Sequence, residues 1–192
     1  MRTRCAVAAL LVVALFPLTA RAQEKGKAGL VLGVPASFGV IWQAGDKVAI
    51  RPEMTFSWSS NDSTSSVTSS GSSGTSSIWQ IGVGASALFY VARHDNLRPY
   101  FSPQWRYSHL SGSSTGSGSS TSGNGNQVNG VFGAQYALGS RFSVFGETGA
   151  AYSWTTTTVT GPTVVSGVPT LTFTQHSKGV GLTGRVGVIF YF

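Results

Sequence analysis

The 192-residue chain suits one domain, and at 10% charged residues it carries far less than the usual quarter of a soluble domain. No internal stretch reaches the roughly 18 apolar residues of a spanning helix, so a helical membrane protein is excluded. The formal charge of +7 includes Arg2, Arg4 and Arg21; without them ten basic and six acidic residues leave +4. These charges form no stripe that could track phosphates, so nucleic-acid binding is not expected.

Residues 1–22 have the pattern of a cleaved secretory signal peptide. Arg2 and Arg4 form a basic start, Cys5 to Phe16 an uncharged apolar run, Pro17 a break, and Ala20-Arg21-Ala22 a small-x-small cleavage site. Cys5 is the single cysteine and lies inside that segment. The mature domain, 23–192, is therefore expected to lack thiols, disulfides and cysteine-based metal sites.

From Ala28 onward the dominant signal is alternation with period two. Residues 27–43 form either one strand or two. Pro35 in Gly33-Val34-Pro35-Ala36 marks a turn, which divides them into about 27–33 and 37–43. Between Val48 and Ser59, Val48, Ile50, Pro52, Met54, Phe56 and Trp58 share one face. Arg51, Glu53, Thr55 and Ser57 share the other. Trp79, Ile81, Val83 and Phe89 oppose Gln80, Gly82, Gly84, Ser86 and Tyr90; Phe101, Trp105 and Tyr107 oppose Ser102, Gln104 and Arg106. Further on, Phe132, Ala134 and Tyr136 oppose Asn129 and Gln135. Val144, Tyr152 and Trp154 oppose Glu147 and Ser153. Val180, Leu182, Val186, Val188, Phe190 and Phe192 oppose Thr183, Arg185 and Tyr191.

The connections alternate between short (Ala44 to Lys47, Arg93 to Arg98, Gly139 to Arg141) and long (Asn61 to Ser77, Leu110 to Asn126, Thr160 to Pro169). A soluble sandwich that binds a ligand through its long loops is a further alternative; it also alternates, but it hides its apolar face and exposes its charged one. Short periplasmic turns, long Ser/Gly-rich extracellular loops and an even strand number define a transmembrane barrel. The expected fold is all-β: an eight-stranded antiparallel up-and-down barrel, apolar face outward, polar face inward. Aromatics fall in two belts, Trp42, Phe89, Phe101, Tyr136, Phe142, Phe190 and Phe192 near the short turns and Trp58, Trp79, Tyr107, Tyr152 and Trp154 near the long loops. Pro52 and Pro103 remove ladder donors, which suggests bulges near the periplasmic rim. The Ser/Gly/Thr tracts bury little apolar surface, so they are expected to be mobile, solvated tips.

The last seven residues, Val186-Gly187-Val188-Ile189-Phe190-Tyr191-Phe192, resemble the C-terminal insertion signal of outer-membrane barrels, with Gly187, Phe190 and Phe192 matching and Val186 departing from the usual polar residue. That resemblance implies recognition by the barrel-assembly machinery. More broadly, Val48-Ala49-Ile50-Arg51-Pro52-Glu53, Leu97-Arg98-Pro99-Tyr100, Gly133-Ala134-Gln135-Tyr136 and Arg141-Phe142-Ser143-Val144-Phe145-Gly146-Glu147 resemble the OmpA/OmpX-like small outer-membrane barrel family. The resemblance implies a scaffold in the bacterial outer membrane, not a shared activity.

Inward parity collects Arg51, Glu53, Arg106, Glu147 and Arg185, which would be costly to bury unpaired; an Arg–carboxylate network that plugs the lumen is expected. A gated conduit is the alternative. An enzymatic alternative rests on His109-Leu110-Ser111, which resembles the His-x-Ser pair of outer-membrane lipid A deacylases. The adjacent strands offer no carboxylate to orient the histidine. Lys47, Arg93, Arg98 and Arg141 gather at the short turns as a solvated rim. No cofactor or metal site is expected, since His94 and His176 lack ligand spacing. The expected product is a non-catalytic, monomeric structural or interaction barrel whose partners are outer-membrane lipids.

Overall fold

A computed structural model describes residues 26–65, 72–115, 118–161 and 170–192. The signal-peptide segment 1–22 lies outside the described residues. Eight strands follow one another: β1 (Ala28–Val34), β2 (Ser37–Gln43), β3 (Val48–Ser65), β4 (Ser72–Tyr90), β5 (Leu97–Ser114), β6 (Ser119–Ala137), β7 (Phe142–Gly161) and β8 (Leu171–Tyr191). Each pairs antiparallel with its neighbour, and β1 pairs with β8 from Gly29↔Tyr191 to Val34↔Val186, closing the ring. Pro35 sits in the tight β1–β2 connection, so residues 28–43 are two strands.

The ladders extend well into the tracts that lack apolar alternation. β3 and β4 pair as far as Ser65↔Ser72, β5 and β6 to Ser114↔Ser119, and β7 and β8 to Gly161↔Leu171. Alternation reports burial, whereas a hairpin started in the membrane propagates by backbone hydrogen bonds whatever its side chains. Threonine helps, being β-branched and able to pair across the ladder: the hydroxyls of Thr158 and Thr174, and of Thr160 and Thr172, lie 3.3 Å apart.

The two strand prolines do not create bulges. The β2–β3 register is the same at Gly39↔Glu53 and Trp42↔Ile50, with the two pairs between them, at Pro52, missing. The β4–β5 register is likewise the same at Ser86↔Gln104 and Phe89↔Phe101, with the gap at Pro103. Each proline deletes local bonds, and the flanking pairs are numerous enough to hold the phase.

Outward positions carry the exposed apolar residues, among them Trp42, Ile50, Phe56, Trp58, Val83, Phe132, Leu182 and Phe190, as a lipid-facing wall requires. Inward positions are not uniformly polar. Val31, Ile41, Ala49, Leu88, Tyr90, Tyr100, Phe145, Ile189 and Tyr191 form a buried cluster in the periplasmic half of the lumen. These residues share the phase of Arg51 and Glu147, so the interior has an apolar floor beneath its charges. A narrow barrel needs bulk to fill it, and large apolar side chains supply that bulk without a desolvation cost.

This inside-out arrangement is open to direct measurement. Single cysteines at Ile50, Val83 and Leu182 should react with a lipid-dissolved maleimide, and cysteines at Ser86 and Ser102 should be protected. Reversed reactivity would overturn the assignment of faces.

Candidate functional site

Of the five charges expected in the lumen, four meet at one level. Strand parity turns Arg51 and Glu53 of β3 inward two residues apart, and the β7–β8 register sets Glu147 directly opposite Arg185. Arg51 Nη2 donates to Glu147 at 2.9 Å from Oε2, while Arg185 Nη2 lies 2.5 Å from Oε1. Arg185 Nη1 reaches Glu53 Oε2 at 2.7 Å. Arg51 Nε sits 2.7 Å from Glu53 Oε1, but its N–H bonds Ser86 Oγ at 3.1 Å, so that contact with Glu53 is ionic rather than a hydrogen bond. Two cations and two anions thus form a neutral ring across the barrel. Arg51 is fully buried, so neither its charge nor its donors have bulk water as a partner.

Glu147 is the hub. Besides both arginines it accepts from Tyr100 Oη at 2.9 Å and from Gln104 Nε2 at 3.0 Å. Tyr100 reaches it because the ring lies over Gly133, where an added Cβ would come within 2.6 Å of the tyrosine. Phe145 lies beneath, with the Arg51 and Arg185 guanidinium carbons 5.2 and 5.6 Å from its ring centre. Below that, Gln43 donates to Tyr90 and Tyr191 at 3.0 and 3.2 Å, and Tyr90 donates to Gln135 at 2.9 Å. The ionic ring therefore rests on a second, neutral polar layer. Sequence reasoning passed over Tyr100, Gln43 and Gln135; their inward parity was the signal that would have found them.

Arg106 does not join the ring. It is half-buried higher in the lumen, and its side chain makes no ion pair or hydrogen bond with any described residue. It faces a cavity of about 420 Å³ that lies above the ring and is lined with Gln80, Gln104, Asn126, Gln127 and Thr155.

Arg98 is not part of a solvated rim. Its even parity on β5 turns it inward, where it is buried, donates to the Asp46 carbonyl and covers the Tyr90 ring at 3.8 Å. His109 and Ser111 share a face of β5. His109 Nδ1 pairs with Asn124 Oδ1 at 2.8 Å, and the ring packs 5.7 Å from Trp79. Neither Ser111 nor a carboxylate bonds it among the described residues. Near the C-terminus, Gly187 faces inward where a Cβ would meet the Leu32 carbonyl and the Phe145 ring, while Phe190 and Phe192 are exposed to the lipid side.

The family profile described as "Outer membrane protein beta-barrel domain" matches residues 6–185. No curated protein sequence matches the chain. Among solved structures, a major outer membrane protein from Thermus thermophilus is similar at 13% identity and a TM-score of 0.59, covering 86% of this chain and 98% of its own. CarO2 from Acinetobacter baumannii is similar at 14% identity and a TM-score of 0.43, covering 86% of this chain and 97% of its own. At 13% identity the likeness to the Thermus protein concerns the fold alone.

The unequal roles of the lumen charges should appear in stability. Replacing Glu147 by Gln leaves two buried arginines short of an anion, a class of change that costs about 3–5 kcal/mol. The midpoint of heat- or urea-induced unfolding, read from gel mobility, should fall clearly for Glu147→Gln and hardly at all for Arg106→Gln. Equal effects would remove the distinction between ring and cavity.

Proposed function

Because this chain belongs to the outer membrane protein beta-barrel domain family, we propose that it serves the bacterial outer membrane as a non-catalytic structural and interaction barrel whose interior is closed by its own side chains. One observation carries this reading: the stacked blockage in the periplasmic half, with the Arg51, Glu53, Glu147 and Arg185 ring resting on Phe145, Tyr100 and the Gln43–Tyr90–Gln135 layer. An ion crossing it would have to separate paired charges in a water-poor space and then pass a tyrosine and aliphatic floor. The cost of breaking such pairs supports a plug rather than a conduit.

The extracellular side supports the interaction role. Strands β3 to β8 continue beyond the aromatic level marked by Trp58, Trp79 and Trp154 as paired ladders rich in Ser, Thr and Gly. They display a hydroxyl-rich surface to the medium. The C-terminal Gly187, Phe190 and Phe192 belong to the closing strand, which fits recognition by the assembly machinery during insertion. Ring closure within one chain makes a monomer sufficient. The pairing of His109 with Asn124 and Trp79 supports a structural place for this histidine at the lipid interface, rather than a base for Ser111.

Two measurements test the reading together. The purified barrel in planar bilayers should give no stable conductance steps, and lipid A from cells expressing it should keep its mass. Defined steps would replace the plug by a conduit. A lipid A mass change that reverts with His109→Ala would replace the non-catalytic reading by a deacylase.

A further inference from the structure

The barrel wall is incomplete on one side. β1 and β2 have seven residues each, against 18 or more for the other six strands. At about 3.3 Å per residue and a tilt near 40°, seven residues rise only about 17 Å, short of an apolar band of about 25 Å. The registers place the shortfall. β2 ends its pairing with β3 at Ser37↔Thr55, and β1 ends its pairing with β8 at Val34↔Val186. Trp58, in the upper aromatic belt, is three residues beyond Thr55, so the hairpin tip lies roughly 7–8 Å below that belt. Above the tip β3 and β8 do not pair with each other. At the level of the tip three strand spacings separate them, roughly 14 Å.

The borders of this gap are apolar and bare. Phe56 and Trp58 on β3 and Val180 on β8 face outward, and Leu182 is 94% exposed, so no described part of the chain covers it. Exposed side chains of this kind belong in hydrocarbon. The gap is therefore a lateral window in the outer-leaflet half of the wall, with Pro35 and Ala36 as its sill.

Two spaces meet at the window. Inside is the cavity of about 420 Å³ that Arg106 faces, whose lining includes Pro35, Ala36, Phe56, Thr183 and Gly184. Outside, a groove of about 430 Å³ runs down the lipid-facing wall, lined by Val34, Phe132, Gly146, Thr148, Gly184 and Val186. Gly184 borders both, as do Glu147 and Arg185 of the neutral ring. Packing does not require glycine at either groove position: a Cβ on Gly184 would come no closer than 3.6 Å to any neighbour, and one on Gly146 no closer than 3.9 Å. By contrast, Gly149 and Gly187 leave no room for one. The bare groove floor is a shape that the fold itself does not demand.

We infer that the cavity, window and groove together form a binding site for one single-chain anionic amphiphile drawn from the outer leaflet, a long-chain carboxylate in chemical class. The carboxylate pairs with Arg106, whose charge the neutral ring below leaves uncompensated, and the amides of Gln80, Gln104 and Gln127 surround it. The alkyl chain passes over Pro35 and Ala36 and descends the groove toward the bilayer centre, the direction an acyl chain of that leaflet already takes. A single guanidinium matches a monoanionic head, and the cavity lies in the size range of small-ligand sites. The site is compatible with a closed barrel because the ionic ring forms its floor, Glu147 and Arg185 lining the cavity from below.

The test uses the full barrel in phosphatidylcholine nanodiscs with nitroxide-labelled stearate as the probe, read by electron paramagnetic resonance. Native protein should immobilise about one probe per barrel with an affinity that acetate at millimolar excess does not reduce, and the labelled methyl ester should not compete. Arg106→Gln should weaken binding at least tenfold, with partial recovery in Arg106→Lys. Gly184→Leu, whose Cβ finds ordinary van der Waals room on the groove floor, should remove the immobilised signal while the heat-dependent gel shift persists. If Arg106→Gln fails to fold, Gly184→Leu decides alone. Unchanged immobilisation in Gly184→Leu, or equal binding of the methyl ester, would overturn the site. Displacement by acetate would reduce it to a water-side anion pocket and overturn the lateral route.

Discussion

A backbone amide in hydrocarbon finds no water, so a sheet that crosses a membrane must bond every edge or close on itself. That constraint governs this molecule. Closure of β8 onto β1 from Gly29↔Tyr191 to Val34↔Val186 satisfies the lower wall, and it fixes which residues face lipid. Once closed, a period-two chain has no freedom left. Ile50 and Arg51 are neighbours in sequence but lie on opposite sides of the wall.

The interior follows from the same closure. An eight-stranded barrel is too narrow to hydrate its charges, so charges that point inward must find one another. Arg51, Glu53, Glu147 and Arg185 come from three strands, with 132 positions separating Glu53 from Arg185, yet the ring brings them to one level. Glu147 makes the arrangement stable in form as well as in charge, because Tyr100 and Gln104 add two neutral donors to the carboxylate that the arginines hold. The apolar floor of Ile41, Leu88 and Ile189 keeps that ring away from the periplasmic water.

The short first hairpin is the exception to closure, and its consequence lies at the opposite end of the lumen. Below the level of Pro35 the wall is complete and the interior filled; above it the wall opens and the interior is a cavity. The boundary between a packed plug and an accessible pocket thus coincides with the tip of β1–β2. Arg106 stands on the accessible side of that boundary and the other four charges on the packed side, which is why one parity class contains residues with two different roles.

Much of this was legible along the chain. Period-two patterning reports which face each residue takes, because lipid and lumen impose opposite chemistry on alternate positions, and Pro35 marked the division that makes the strand number even. Inward parity named Arg51, Glu53, Arg106, Glu147 and Arg185 but not the buried Arg98, which reads along the chain as a rim residue. What the chain order does not carry is level around a tilted ring. Whether Arg106 reaches Glu147, whether Arg98 tucks over Tyr90, and how far β3 climbs past the last apolar residue all depend on register between strands. Register arises from backbone pairing, which serine and valine make equally well. The sequence by itself determined the faces, the barrel and its membrane setting. Only the tertiary structure decided which charges meet and where the wall stops, since both depend on vertical offsets accumulated over eight neighbouring strands.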